Sequence, residues 1–165
     1  MNKKSAALKR ELLSNLIKTR TAILRAASGL SPAAQDTVFL GVWSVIDLIA
    51  HLVGWDFTNL AAAKDIQAGV LPGFYAHYDK DWKSYNAELV AKYKREDFNE
   101  LLALARDSHS KLIEYLENLS TEVFDKDFGV RSGGKYKITI ARLLGAEWKD
   151  EGEHLKQLQE FKANL

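Results

Sequence analysis

Residues 43–56 read WSVIDLIAHLVGWD, and they contain the clearest helix start in the chain. Ser44, followed three residues later by Asp47, forms the capping-box pattern, in which each side chain accepts a hydrogen bond from the other residue's backbone N–H. The apolar residues that follow recur at helical spacing and do not alternate as they would in a strand. This stretch therefore predicts an amphipathic helix that begins at Ser44 and ends near Gly69.

Three other segments show the same spacing of apolar residues. They are residues 5–27, 96–118 and 139–161, and Thr139 is placed to cap the last of them. No stretch bounded by hairpin turn signals shows alternating apolar and polar residues, so a sheet has little support. Antiparallel packing around a shared core is the simplest way to bury four apolar stripes. We predict an all-α fold, an antiparallel four-helix bundle with one long crossover connection over residues 70–95 that can hold a short extra helix.

Length and composition limit the classes of function. The chain has 165 residues, of which 47% are hydrophobic, and this suits a single domain over residues 1–165 with a sizeable core. The net charge of +1 leaves no excess of cations for phosphates, so we expect no nucleic-acid partner. No segment has the apolar length of a signal peptide or a membrane span, so we expect a cytoplasmic protein without membrane contact. The absence of cysteine excludes disulfides and thiolate metal ligands.

GVRSGGKY, at residues 129–136, matches the phosphate-binding loop pattern up to its lysine. However, Tyr136 stands where a serine or threonine would bind magnesium, and no apolar strand precedes the stretch. A glycine-rich turn before the fourth helix explains the same residues, and this is the interpretation we adopt.

The strongest candidate site joins the second and fourth helices. Asp150 and His154 are four residues apart, so they project from one helix face about 6 Å from each other and suit two ligands of one ion. His51 lies on a mostly apolar segment, where a histidine needs a reason to be buried. Two histidines and a carboxylate suit Zn²⁺, Ni²⁺ or Fe²⁺ and do not decide among them. A hydrogen-bonded core histidine and a solvated Asp–His pair explain the same residues without a metal.

Three of these segments resemble parts of a known family. WSVIDLIAHLVGWD at residues 43–56 resembles the second helix of the DinB/YfiT-like superfamily, and ARLLGAEWKDEGEHLKQL at residues 141–158 resembles its fourth helix. YNAELVAKY at residues 85–93 is similar to the branch that includes the ClbS/DfsB proteins. The resemblance implies a four-helix bundle, often a homodimer, in which three inward histidines bind a divalent metal at one end.

The resemblance also assigns individual residues to that site. His51 and His154 fall on two of the three histidines, whereas Asp150 falls on the third. A carboxylate can still bind a metal at that position, although it adds negative charge, and Glu147 or Glu151 can replace it as the ligand. The two glutamates are also the candidates for a general base or for a group that orients a ligand.

Other residues near these segments carry weaker signals. Gly152 destabilises a helix interior by about 1 kcal/mol, and we interpret it as a point of close helix packing. Asp47 is placed to orient His51, although its role in the capping box explains it without a metal. His109 is a substitute ligand or a substrate contact, unless it simply packs in the core or on the surface. Five aromatic residues are candidates to line an apolar substrate pocket: Trp43, Trp55, Trp148, Tyr75 and Tyr78.

The resemblance implies a divalent-metal-dependent enzyme that acts on a small molecule in a cavity at one end of the bundle. The chemistry within such families is thiol transfer or the hydrolysis of an electrophilic compound, and an open-site metal serves both because it lowers the pKa of a bound water or thiol. The alternative is a metal-free protein that binds or sequesters a hydrophobic compound, as a self-resistance protein does. A structural homodimer without any ligand is the third hypothesis.

Overall fold

The computed structural model describes residues 3–77 and 82–165. Within these residues the four long helices are α1 (Lys3–Ser28), α3 (Val45–Gln67), α5 (Phe98–Asn118) and α7 (Ile140–Ala163). The shorter helices are α2 (Pro32–Asp36), α4 (Trp82–Tyr93) and α6 (Thr121–Phe124), and Gly73–His77 forms a 3₁₀ turn. Two antiparallel hairpins pair β1 (Val38–Leu40) with β2 (Trp43–Ser44), and β3 (Arg131–Ser132) with β4 (Tyr136–Lys137). The predicted all-α bundle is confirmed.

The predicted helix starts of α3 and α7 are formed by their caps. The Ser44 backbone N–H donates to Asp47 Oδ2 at 2.9 Å, and the Asp47 N–H donates to Ser44 Oγ at 3.3 Å. Lys94 Nζ donates to the other Asp47 oxygen at 2.7 Å, so this carboxylate is used by the cap and the lysine. Thr139 Oγ1 accepts from the Arg142 N–H at 3.2 Å. The capping signals in the sequence therefore placed both starts correctly.

The buried side chains show the direction in which each long helix runs. One core cluster contains side chains from all four helices, among them Leu24, Leu48, Leu101 and Leu158. A second cluster also contains side chains from all four helices, among them Leu16, Ile66, Leu116 and Leu144. From the first cluster to the second, residue numbers fall along α1 and α7 and rise along α3 and α5. Helices α1 and α7 therefore run in one direction, and α3 and α5 run in the other.

Because α3 and α5 run in the same direction, the chain has to return along the bundle between them, and α4 does this. Lys94 contacts Asp47 at the start of α3, whereas Leu89 packs on Gly54 further along the same helix, so α4 is antiparallel to α3. A Cβ added at Gly54 would lie 2.7 Å from the Leu89 Cβ, so glycine is needed for this close approach. The predicted crossover connection and its extra helix are confirmed.

Two expectations about local structure need correction. Residues 129–136 contain most of the β3–β4 hairpin, with Gly133 and Gly134 at positive φ in its turn, which confirms the turn interpretation but adds strands that the pattern did not predict. Strands of two or three residues are too short to show alternation. The close packing expected at Gly152 was wrong, because an added Cβ there would meet no other described atom within 4 Å. In residues 3–77 and 82–165, no helix is long and apolar enough to cross a bilayer.

Candidate functional site

A cavity of about 660 Å³ opens beside α3 and α7, with the β3–β4 hairpin, the 3₁₀ turn and α4 contributing to its wall. Its aromatic wall includes Trp43, Trp55, Phe74, Tyr75 and Trp82. Three of these residues were predicted from the sequence, whereas Phe74 and Trp82 were not. Trp148 was predicted to line the pocket but packs against the hydrophobic core instead, and Tyr78 lies outside the described residues.

His51, Asp150 and His154 come together at this cavity, although α3 and α7 are far apart in the sequence. Asp150 Oδ2 lies 3.3 Å from His154 Nε2 and 3.8 Å from His51 Nε2. The two imidazole rings meet edge to face, with their centroids 5.2 Å apart. One possible ligand atom from each residue lies within 4.8 Å of the others, which is a spacing that could hold one metal ion.

His51 is 3% exposed, and neither of its ring nitrogens has a hydrogen-bond partner among the described residues. An unsatisfied polar group destabilises a folded protein by about 1–3 kcal/mol, so such atoms call for an explanation. Burial lowers the pKa of His51, against the influence of Asp150. Its imidazole is therefore neutral near pH 7, which is the form that binds metals.

His154 is held in place more firmly than His51. Its Nδ1 lies 3.0 Å from Gln157 Oε1, an oxygen that can only accept, so Nδ1 carries a proton and Nε2 faces Asp150. Burial alone would lower the pKa of His154, but the hydrogen bond and charge of Asp150 raise it. The same two histidines lower the pKa of Asp150 below its ordinary range, although burial opposes the shift. The Asp150 side chain is 56% exposed, so it is the least constrained member of the group.

Glu147 and Glu151 were both predicted beside this group, and the structure separates them. Glu147 is buried, lines the cavity and makes no salt bridge within the described residues. Burial, followed by the negative charge of Glu151, raises the pKa of Glu147 to about 8, although the Asn59 amide and Arg20 oppose the shift. Its carboxyl group is therefore protonated near pH 7 and available as a proton donor inside the cavity.

Glu151 belongs to a second polar group in the middle of the bundle. Arg20 Nη1 and Nη2 donate to the two Asp56 oxygens at 2.7 and 3.0 Å, and Nη2 also donates to Glu151 Oε1 at 2.5 Å. Ser108 Oγ donates to Asp56 at 2.6 Å, and His109 Nδ1 lies 3.4 Å from the same carboxylate. The Glu151 carboxylate is thus bound by the guanidinium and does not line the cavity.

Asp56, His109 and Glu151 are also spaced closely enough to bind an ion. Arg20 already supplies the positive charge there: burial opposes its charged form, but Asp56 and Glu151 raise the pKa of the guanidinium above its ordinary value. Sequence reasoning missed Arg20 and Asp56. A signal was present for Arg20, because it lies one helical turn from both Leu16 and Leu24 on the buried stripe of α1.

Comparison with known proteins agrees with this architecture. The profile of a family described as the DinB superfamily matches residues 15–158. DfsB, described as a sibling lethal factor precursor, has a TM-score of 0.74 and 20% identity over 94% of this chain and 95% of its own. YfiT from Bacillus subtilis, described as a probable metal-dependent hydrolase with an unusual four-helix bundle topology, has a TM-score of 0.69 and 19% identity over 94% and 86%. No curated protein sequence matches the chain.

A third similar structure corrects the expectation about partners. The colibactin self-resistance protein ClbS was solved in complex with dsDNA, and it has a TM-score of 0.67 and 20% identity over 92% of this chain and 94% of its own. The sequence-based exclusion of nucleic acid was therefore wrong for proteins of this fold. Net charge was a poor guide because it sums over the whole chain, whereas a DNA-binding surface needs only a local excess of cations.

Proposed function

The chain belongs to the DinB superfamily, and from this premise we propose that it is a divalent-metal-dependent enzyme that acts on a small molecule in the cavity beside α3 and α7. The observation that carries the proposal is His51, a buried, neutral histidine whose ring nitrogens have no hydrogen-bond partner in the part of the chain that the structure describes and which faces Asp150 and His154. A cation bound there would satisfy one of these nitrogens and relieve the destabilisation that they cause.

The proposed ligands are Nε2 of His51, Nε2 of His154 and a carboxylate oxygen of Asp150. This donor set fits Zn²⁺, Ni²⁺ or Fe²⁺, and three protein ligands leave a position for water or substrate. Gln157 supports the assignment, because a histidine that binds a metal through Nε2 generally donates its Nδ1–H to a neighbouring acceptor.

When bound, a divalent metal of this kind lowers the pKa of a water or thiol and so supplies a nucleophile near neutral pH. The chain provides the remaining functions. The aromatic wall excludes water and holds the apolar part of the substrate. The protonated carboxyl group of Glu147 is positioned to donate a proton to a leaving group in the same cavity. The reaction class that fits is hydrolysis of, or thiol transfer to, an electrophilic compound.

A metal-free binding protein is the second candidate function, and one observation favours it. Asp150 already lies within ion-pairing distance of His154, so these two residues can satisfy each other without a cation. In this alternative, the cavity of about 660 Å³ sequesters an apolar compound and no chemistry follows. The description of ClbS as a self-resistance protein is compatible with either candidate.

Metal content distinguishes the two candidates. The protein is freed of metal with a chelator, incubated with Zn²⁺, passed over a desalting column and analysed by mass spectrometry. We expect about one equivalent of zinc in the wild type and almost none in His51→Ala or His154→Ala. His109→Asn is the matched control, because this histidine lies in the Arg20 group and should leave the zinc content unchanged. Equal zinc in all four proteins, or none in the wild type, would overturn the proposal.

A further inference from the structure

Asn59 lies on α3 about two turns after His51, and it is the most buried polar side chain on the cavity wall. It is 1% exposed, and neither its Oδ1 nor its Nδ2 has a hydrogen-bond partner among the described residues. Buried amides that lack a partner are rare, because they destabilise the folded state. The first explanation to consider is that a bound molecule supplies the missing partners.

The neighbouring groups do not supply them. The nearest is the Glu147 carboxyl group, whose pKa a weak hydrogen bond from the Asn59 amide lowers, but this contact falls outside the normal distance and angle of a hydrogen bond. The polar atom of the adjacent Trp55 is already used, because its Nε1 donates to Asn86 Oδ1 at 3.0 Å. Among the described residues of this wall, Asn59 thus shares with His51 the property of being buried without a hydrogen-bond partner.

The surroundings of Asn59 define the class of ligand. The rings of Trp55, Phe74 and Trp82 lie within 6.0 Å of one another, centroid to centroid, and form an apolar surface suited to a ring system. Glu147 is a buried carboxyl group that makes no salt bridge with any described residue, and Glu151 behind it is paired with Arg20. A carboxylate ligand at this end of the cavity would lose its hydration, which is unfavourable for a charged group.

We infer that Asn59 selects the substrate by binding a carboxamide or lactam group on an apolar, ring-bearing molecule. Its Oδ1 accepts the N–H of that group and its Nδ2 donates to the C=O, which is the pairing that an amide side chain makes with another amide. A carboxylate has no N–H to donate and would lose the hydration of its charge beside Asn59. The inference rests on the proposed function only in taking this cavity as the substrate site, and it does not require the metal.

Three probes of similar shape test the inference: indole-3-acetamide, indole-3-acetate and 3-ethylindole. Their affinities for the metal-free protein are measured by calorimetry at pH 7, so that no metal can attract the carboxylate. We expect the amide to bind at least about tenfold more tightly than either of the others, since the paired amide replaces an unsatisfied one. In Asn59→Leu the amide should bind no better than 3-ethylindole. Asn99→Leu, an exposed change on α5, is the matched control and should behave as the wild type.

Equal affinity of the wild type for the three probes would overturn the inference, and this result does not depend on whether any variant folds. A preference for the amide that survives in Asn59→Leu would overturn it as well. Zinc content measured on the same proteins separates the two proposals. A protein that binds zinc through His51 but does not prefer the amide refutes the role of Asn59 alone, whereas a protein that prefers the amide but binds no zinc refutes the metal site alone.

Discussion

Two groups of histidines and carboxylates lie among the described residues of this bundle, and they differ in where their positive charge comes from. In the group of Asp56, His109 and Glu151, Arg20 lies between the carboxylates and the set is closed. In the group of His51, Asp150 and His154, no arginine or lysine of the described residues takes that place, and none of the described residues pairs with His51 through a hydrogen bond; the cavity opens beside it. Similar residue types therefore form a structural ion network in one place and a candidate metal site in the other.

Proximity of possible ligand atoms is therefore a weak criterion for a metal site. Both groups pass a distance test of 4.8 Å. What separates them is whether the chain itself neutralises the carboxylates and satisfies the buried nitrogen atoms.

Replacing Arg20, the cation of the group of Asp56, His109 and Glu151, should lower the stability of the protein more than any other change proposed here. Arg20→Met leaves Asp56 and Glu151 buried without their counter-ion, and we expect the free energy of unfolding to fall by about 3–5 kcal/mol. Urea denaturation measures it. Arg10→Met, at an exposed position on the same helix, is the control and should change stability by no more than about 0.5 kcal/mol. A loss below about 1 kcal/mol for Arg20→Met would mean that the closed group does not depend on its arginine.

Glu147 should make the metal-free protein less stable as the pH rises. Its pKa is raised from 4.5 to about 8, so between these values the folded chain keeps a proton that the unfolded chain releases. Stability conferred by the protonated form is therefore lost as the pH increases, by an amount on the order of a few kcal/mol. Urea midpoints at pH 5 and pH 8 should show this fall in the wild type and a smaller one in Glu147→Gln. If the urea midpoints of the wild type and Glu147→Gln changed equally with pH, Glu147 would not be a buried acid with a raised pKa.

Zinc should stabilise the protein only by binding to the group of His51, Asp150 and His154. At a free concentration of about 100 times its Kd, a ligand that binds only the folded state adds about 2.7 kcal/mol, or roughly 5–10 °C in melting temperature for a chain of this size. We expect this shift in the wild type and in His109→Asn, and its loss in His51→Ala. A shift that persists in His51→Ala and vanishes in His109→Asn would show that zinc binds in the group of Asp56, His109 and Glu151, contrary to this prediction.

The smallest effect concerns the helix that carries residues of both groups. Gly152 has open space around its Cα, so Gly152→Ala should raise the free energy of unfolding by about 0.5–1 kcal/mol through helix propensity alone. Zinc content should not change. Gly54→Ala provides the contrast, because its Cβ would collide with Leu89 and should destabilise the protein. Destabilisation by Gly152→Ala would show that α7 needs flexibility or space near Glu151.

Much of the fold could be predicted from local patterns, because caps and apolar stripes act within one helix. Ser44, Asp47 and Thr139 gave the correct helix starts, and the spacing of apolar residues gave the four long helices. The two hairpins could not be predicted, since two or three paired residues leave no periodic signal. Gly152 was misinterpreted because sequence alone does not show what lies opposite a glycine.

The polar groups were predictable only where the pattern was local. Asp150 and His154 lie one turn apart on α7, and the structure brings His51 to them, although metal binding by the three residues remains a prediction. Arg20 pairs with residues 36 and 131 positions away, and no local pattern shows such partners. For the same reason, the sequence could not tell that Glu147 faces the cavity while Glu151 faces the arginine.

The most direct test of the difference between the two groups is anomalous X-ray diffraction at the zinc edge, on crystals grown from protein loaded with one equivalent of Zn²⁺. We predict a single anomalous peak, about 2.0–2.1 Å from Nε2 of both His51 and His154, with no peak between Asp56, His109 and Glu151. A peak in the Arg20 group, or no peak in crystals shown to contain zinc-treated protein, would contradict the account.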